Sequence, residues 1–130
     1  MGFLKKLFGE SSAAKRNPTT TNKSLGFVRG RHYTEWIDQV KQLKRDKKHH
    51  AVIELCSEAV EAAEAEYKSN RLGVAAWWYE QVALAARRSD QPDIERAAMQ
   101  RYLGHPGSKN PEYVEKFKRF LAKLDAKEGR

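Results

Sequence analysis

The sequence predicts an all-α protein built from antiparallel helix pairs. Two observations carry this. After residue 32, five stretches repeat apolar side chains at three- and four-residue spacing. Clusters of Pro, Gly, Ser, Asn and charged residues separate them, and no segment alternates with period two long enough to suggest a sheet.

In the first stretch Tyr33, Trp36, Ile37, Val40 and Leu43 share a helix face, and the polar run Lys44-Arg45-Asp46-Lys47-Lys48 marks a turn. In the second, Val52, Leu55, Cys56, Ala59, Val60 and Ala63 share one face, while Glu54, Glu58, Glu61 and Glu64 occupy the opposite one. Alanine and glutamate are strong helix formers, so this helix is expected to run until Ser69-Asn70 and Gly73. The third runs from about Leu72 to Arg88, with Val74, Trp77, Trp78, Val82 and Ala85 as its stripe and cations in its last turn. Pro92 opens the fourth, which carries Ile94, Ala97, Ala98 and Tyr102 and stops at Gly104-His105-Pro106-Gly107. Asn110 caps the fifth, with Pro111 in its first position and Tyr113, Val114, Phe117, Phe120, Leu121 and Leu124 on one face.

The 130 residues suit one domain with tails: a flexible basic tail over 1–31, a helical domain over 32–126 and a short tail over 127–130. Residues 10–31 are too polar to offset the entropy of ordering them, although Leu25, Phe27 and Val28 offer a short apolar anchor. The net charge of +8 is uneven: +6 over 1–31, −2 over 32–70, +1 over 71–107 and +3 over 108–130. No apolar run approaches the ~18 residues that span a bilayer. The opening MGFLKKLFG has too short an apolar stretch for a secretory signal, and the single cysteine makes no internal disulfide. A cytoplasmic protein is expected, with peripheral membrane contact as a further option. That option rests on residues 2–9, where Phe3, Leu4, Leu7 and Phe8 share one face of a short helix opposite Lys5 and Lys6.

The helix pairs at about 33–68 and 73–103 superpose in role at an offset of 43 residues: Trp36 over Tyr79, Val40 over Ala83, Leu43 over Ala86, Ala59 over Tyr102. On these positions, with Pro106, the chain resembles degenerate tetratricopeptide repeats over roughly 70 residues. In the stretches GRHYTEW and AAWWYEQ it also resembles small uncharacterised bacterial proteins built from such repeats. The resemblance implies an α-solenoid or helical bundle whose fifth helix caps the array. In that family the turn glycine falls where this chain has Lys47 and Asp90, and the first helix of each pair lines a groove. The groove residues it implies are Thr34, Lys41 and Lys44 from the first unit and Trp77, Glu80, Gln81 and Arg87 from the second.

No catalytic set is expected. Cys56 lies on a buried face without an activating base. His49 and His50 are adjacent, so they do not form an i, i+4 metal pair. His32 and His105 fall in loops, and the glutamate stripe reads as a solvated helix face. No metal, cofactor or small-molecule substrate is implied. Three consecutive aromatics, Trp77-Trp78-Tyr79, cannot all face one core. With Trp78 turned inward, Trp77 covers the neighbouring pair or presents a recognition surface. The expected function is a non-enzymatic adaptor that binds a protein or peptide in a helical groove. Its rivals are a nucleic-acid binder using Lys41, Lys44, Arg45, Lys47, Lys48 and the basic fifth helix, and a peripheral membrane adaptor.

Overall fold

The structure, a computed structural model, describes residues 25–129. A hairpin comes first: β1 (Phe27–Val28) pairs antiparallel with β2 (Arg31–His32). Arg29 and Gly30 both have positive φ, 50° and 89°, as the twist of a two-residue hairpin turn requires. A 3-10 turn at Tyr33–Trp36 leads into α1 (Ile37–Arg45), followed by α2 (His49–Asn70), α3 (Ala76–Arg88), α4 (Pro92–Leu103) and α5 (Pro111–Lys127). Each helix packs on the next in chain order, so the array is up-and-down.

The described residues are predominantly helical, and the hairpin is the one departure from the all-α expectation. Two-residue strands are too short to display alternation, which is why periodicity missed them. Val28 is fully buried, Arg29 donates two hydrogen bonds to Glu58 (3.0 and 2.8 Å), and Trp36 Nε1 donates to the Val28 carbonyl at 2.9 Å. Residues 25–31, expected in a flexible tail, therefore pack on α2, and Val28 is the anchor.

The core is one cluster. Val40 from α1, Val52 to Tyr67 from α2, Trp78 to Ala86 from α3, Ile94 to Tyr102 from α4, and Phe117 with Leu124 from α5 supply it. Aromatic edges run through it: Tyr79 meets Tyr102 at 5.1 Å between ring centroids, and Tyr102 meets Phe117 at 5.3 Å.

Helix ends follow local chemistry. Asn110 Oδ1 accepts from the backbone N–H of Glu112 and Tyr113, with Pro111 next in line. Pro92 occupies the first turn of α4. The third helix starts at Ala76 rather than Leu72, because Val74 N–H donates to the Gly107 carbonyl at 3.0 Å and holds the link extended. Leu72 is left 79% exposed.

The α1–α2 and α3–α4 turns are the same structure. Asp46, Lys47 and Lys48 donate backbone hydrogen bonds to Gln42, Lys44 and Leu43; Ser89, Asp90 and Gln91 donate to Ala85, Arg87 and Ala86. Lys47 and Asp90 are left-handed in both, at φ 57° and 58°. The bonds from Lys48 and Gln91 span five residues back and complete a Schellman closure. Every pair of equivalent residues is 43 apart, the offset found in the sequence.

Candidate functional site

The predicted groove residues divide into two groups. Thr34 is exposed in the 3-10 turn, where its Oγ1 lies 2.8 Å from His32 Nδ1. Its backbone N–H also donates to that nitrogen, which leaves His32 Nε2 to donate to Glu66 Oε2 at 2.7 Å. Lys41 is exposed and Lys44 half-buried on α1; among the described residues no carboxylate pairs with either. Trp77 is half-buried, its ring perpendicular to that of Trp78 at 4.8 Å, and Trp78 in turn meets Tyr33 edge-on at 5.7 Å.

Glu80, Gln81 and Arg87 are placed differently from the groove expectation. Glu80 is buried and accepts hydrogen bonds from Tyr113 Oη at 3.3 Å and Lys116 Nζ at 2.9 Å, so it fastens α5 to α3. Gln81 is 3% exposed. Arg87 keeps an exposed edge, but its Nε donates to Glu95 at 2.9 Å and its guanidinium lies 4.6 Å from the Phe120 ring centroid. The physical reason is the docking of α5. It bonds Glu80 through Tyr113 and Lys116 and lays Phe120 against Arg87, whose polar bond goes to Glu95 of α4.

The glutamates of α2 are also not a solvated stripe. Glu64 accepts two hydrogen bonds from Arg101, at 2.9 and 2.8 Å, and one from Tyr79 Oη at 2.7 Å. These three side chains join α2, α3 and α4, and burial followed by the nearby Glu64 carboxylate pushes the Tyr79 hydroxyl far above its ordinary range. Burial is the largest influence on Arg101 and lowers its value, but the bond to Glu64 and the charges of Glu64, Tyr79 and Glu61 together outweigh it and hold the cation charged. Glu58 holds Arg29 and Glu66 holds His32, while Glu54 stays exposed. The periodicity that found this face could not show that basic residues from the hairpin and α4 would lie over it.

Nucleophilic chemistry at Cys56 is disfavoured by its setting. The side chain is fully buried, and burial pushes the thiol well above its ordinary value. Among the described residues no group of three His, Cys, Asp or Glu side chains is placed to hold a metal ion, and no helix is long and apolar enough to cross a membrane. Phe3, Leu4, Leu7 and Phe8, on which membrane contact was expected, lie outside the described residues.

Surface depressions among the described residues lie at the helix ends. One is lined by Tyr33, Leu72, Val74, Lys109 and Pro111. Another lies where the α3–α4 turn meets the end of α5, and is lined by Arg87, Asp90, Glu95, Leu124 and Lys127. Arg96 closes this end by bonding both Asp125 and Glu128. No protein-family model, curated protein or solved structure matches this chain.

Proposed function

We propose that this chain is a non-enzymatic, tetratricopeptide-repeat-like interaction module that binds a segment of a partner protein, with Trp77 as the anchor and Thr34, Lys41 and Lys44 beside it. One observation supports the reading above the others. Along α3, every side chain from Ala76 to Ala86 is buried except Trp77 and Leu84, which are half-buried. These two stand seven residues apart, two turns along one helix face. A tryptophan kept partly in water on the most enclosed helix costs hydrophobic stabilisation that the fold could have collected by turning it inward. Half-exposed tryptophans of this kind are the side chains that dominate protein interfaces when a partner covers them. Lys41 and Lys44, without carboxylate partners among the described residues, would favour an acidic segment or a chain-terminal carboxylate. Glu80, Gln81 and Arg87 are not part of the surface.

The test is affinity capture with the wild-type chain and a Trp77→Ala/Lys44→Ala variant, with nuclease treatment in parallel. A protein captured by the wild type, retained after nuclease and lost with the variant is the expected result. A captured set identical for both chains would overturn the reading.

A further inference from the structure

We infer that the α1–α2 corner, centred on Arg45, Lys47 and Lys48 and adjoining the groove residues Lys41 and Lys44, binds the phosphate backbone of nucleic acid without sequence preference. The carrying observation is a concentration of positive charge that the fold neither neutralises nor needs. Between residues 41 and 48 stand Lys41, Lys44, Arg45, Lys47 and Lys48, with Asp46 as the one acid. Asp46 offsets only one of the five and makes no ion pair with any of them: its carboxylate accepts from Gln42 Nε2 at 3.1 Å, and Arg45 donates to Gln42 Oε1 at 2.7 Å, a neutral partner. Among the described residues none of the five cations sits in an ion pair, whereas Arg29, Arg87, Arg96, Arg101 and Lys116 all do.

The matching turn, which keeps cations at Arg87 and Arg88, shows that the geometry does not require the charges at Lys47 and Lys48. Its hydrogen bonds are the same, yet Asp90 stands where the corner has Lys47, and Gln91 where it has Lys48. Lysine is also a poor local choice at both places. Lys47 takes a left-handed φ of 57°, which favours glycine or asparagine. Lys48 is the N-cap of α2 and makes no capping bond from its side chain, where Ser, Thr, Asp or Asn would. Residues that break local rules without an internal gain point to a demand from outside the fold.

The corner favours nucleic acid over a lipid surface. Arg45, Asp46, Lys47 and Lys48 are all exposed, with no apolar side chain among them to insert between lipids. The exposed large hydrophobics among the described residues, Phe27 and Leu72, belong to the hairpin and to the α2–α3 link, the latter beyond the far end of α2. Lys41, Lys44 and Arg45 stand at i, i+3 and i+4 in the last turns of α1, and Lys47 and Lys48 follow directly in the turn, so five cations fall within eight residues of chain around one helix end.

The experiment is fluorescence anisotropy of the full chain with a labelled DNA duplex of about 20 base pairs and a single-stranded RNA of equal length, across a salt series. The expected result is binding at low salt whose logarithmic affinity falls with log salt at a slope of roughly 3–4. The variant Arg45→Gln/Lys47→Gly/Lys48→Ser should lose at least about tenfold in affinity and about 2–3 in slope. It leaves Lys41, Lys44 and Trp77 intact, so its result is independent of the groove. Two of its substitutions suit the local backbone better than lysine, and a melting curve confirms folding; Arg45→Gln/Lys48→Gln, which also spares Lys41 and Lys44, is the second variant should it fail to fold. A control, Arg119→Gln/Lys123→Gln/Lys127→Gln, removes the same charge from α5 and should change affinity by no more than about twofold. The inference is overturned by no binding at low salt, by equal losses in corner and control variants, by a corner variant that binds like wild type, or by binding confined to phosphatidylserine vesicles.

Discussion

Glu64 on α2 and Arg101 on α4 form a two-bond ion pair, at 2.9 and 2.8 Å, with the Tyr79 hydroxyl of α3 closing it at 2.7 Å. The pair is mostly buried, with side chains 17% and 23% exposed, so its loss is expected to leave charge without solvent. Glu64→Ala should destabilise by about 2–3 kcal/mol, because Arg101 and the Tyr79 hydroxyl both lose their acceptor. Urea denaturation of Glu64→Ala, Arg101→Met and the double variant reads the coupling. A double variant as unstable as the sum of the singles would refute it.

The turn equivalence predicts an asymmetry. Lys47→Gly should stabilise by about 1 kcal/mol, because the lysine Cβ is strained in the left-handed region. Asp90→Gly should gain less, since Asp tolerates that conformation. Both are read from midpoints of thermal or urea unfolding. Equal gains would remove the residue-specific explanation.

The fifth helix depends on few anchors. Phe117 is fully buried and Leu124 nearly so, while Tyr113, Val114, Phe120 and Leu121 are half-buried. Phe117→Ala should cost about 3 kcal/mol and speed proteolytic cleavage in the α4–α5 link. Unchanged cleavage would show that Glu80, Tyr113 and Lys116 hold the helix without it.

Alkaline pH should destabilise the protein, most strongly through two groups, with Tyr33, Tyr102 and Tyr113 raised in the same direction by burial. The Cys56 thiol and the Tyr79 hydroxyl are both raised above their ordinary values of 9.0 and 10.0. The unfolded chain therefore releases these protons first and binds fewer than the folded chain, so stability falls as pH rises. It is fully present below about pH 9 and declines above it, by up to about 1.4 kcal/mol per pH unit for each group. Cys56→Ala should flatten the first part of that decline. Thiol reagents should leave native Cys56 unmodified at pH 8 and react only on unfolding, and rapid labelling of the native chain would contradict this.

Local signals are what the sequence by itself determined. Asn110-Pro111 and Pro92 mark their helix starts because capping and the proline ring act within one turn. The five helices and the 43-residue offset of the two matching turns were legible for the same reason: spacing along a helix is a property of neighbours in sequence. The hairpin was not, since Phe27–Val28 and Arg31–His32 are too short to carry a period. What lies above a polar face was decided by tertiary structure alone. Trp77, Glu80 and Gln81 occupy one helix in the same stretch of sequence, yet the packing of α5 and the neighbouring helices buries the glutamate and glutamine and leaves the tryptophan half in water. A carboxylate facing solvent and one facing a lysine of a distant helix read alike in sequence, because the distinction is made by a partner thirty or more residues away.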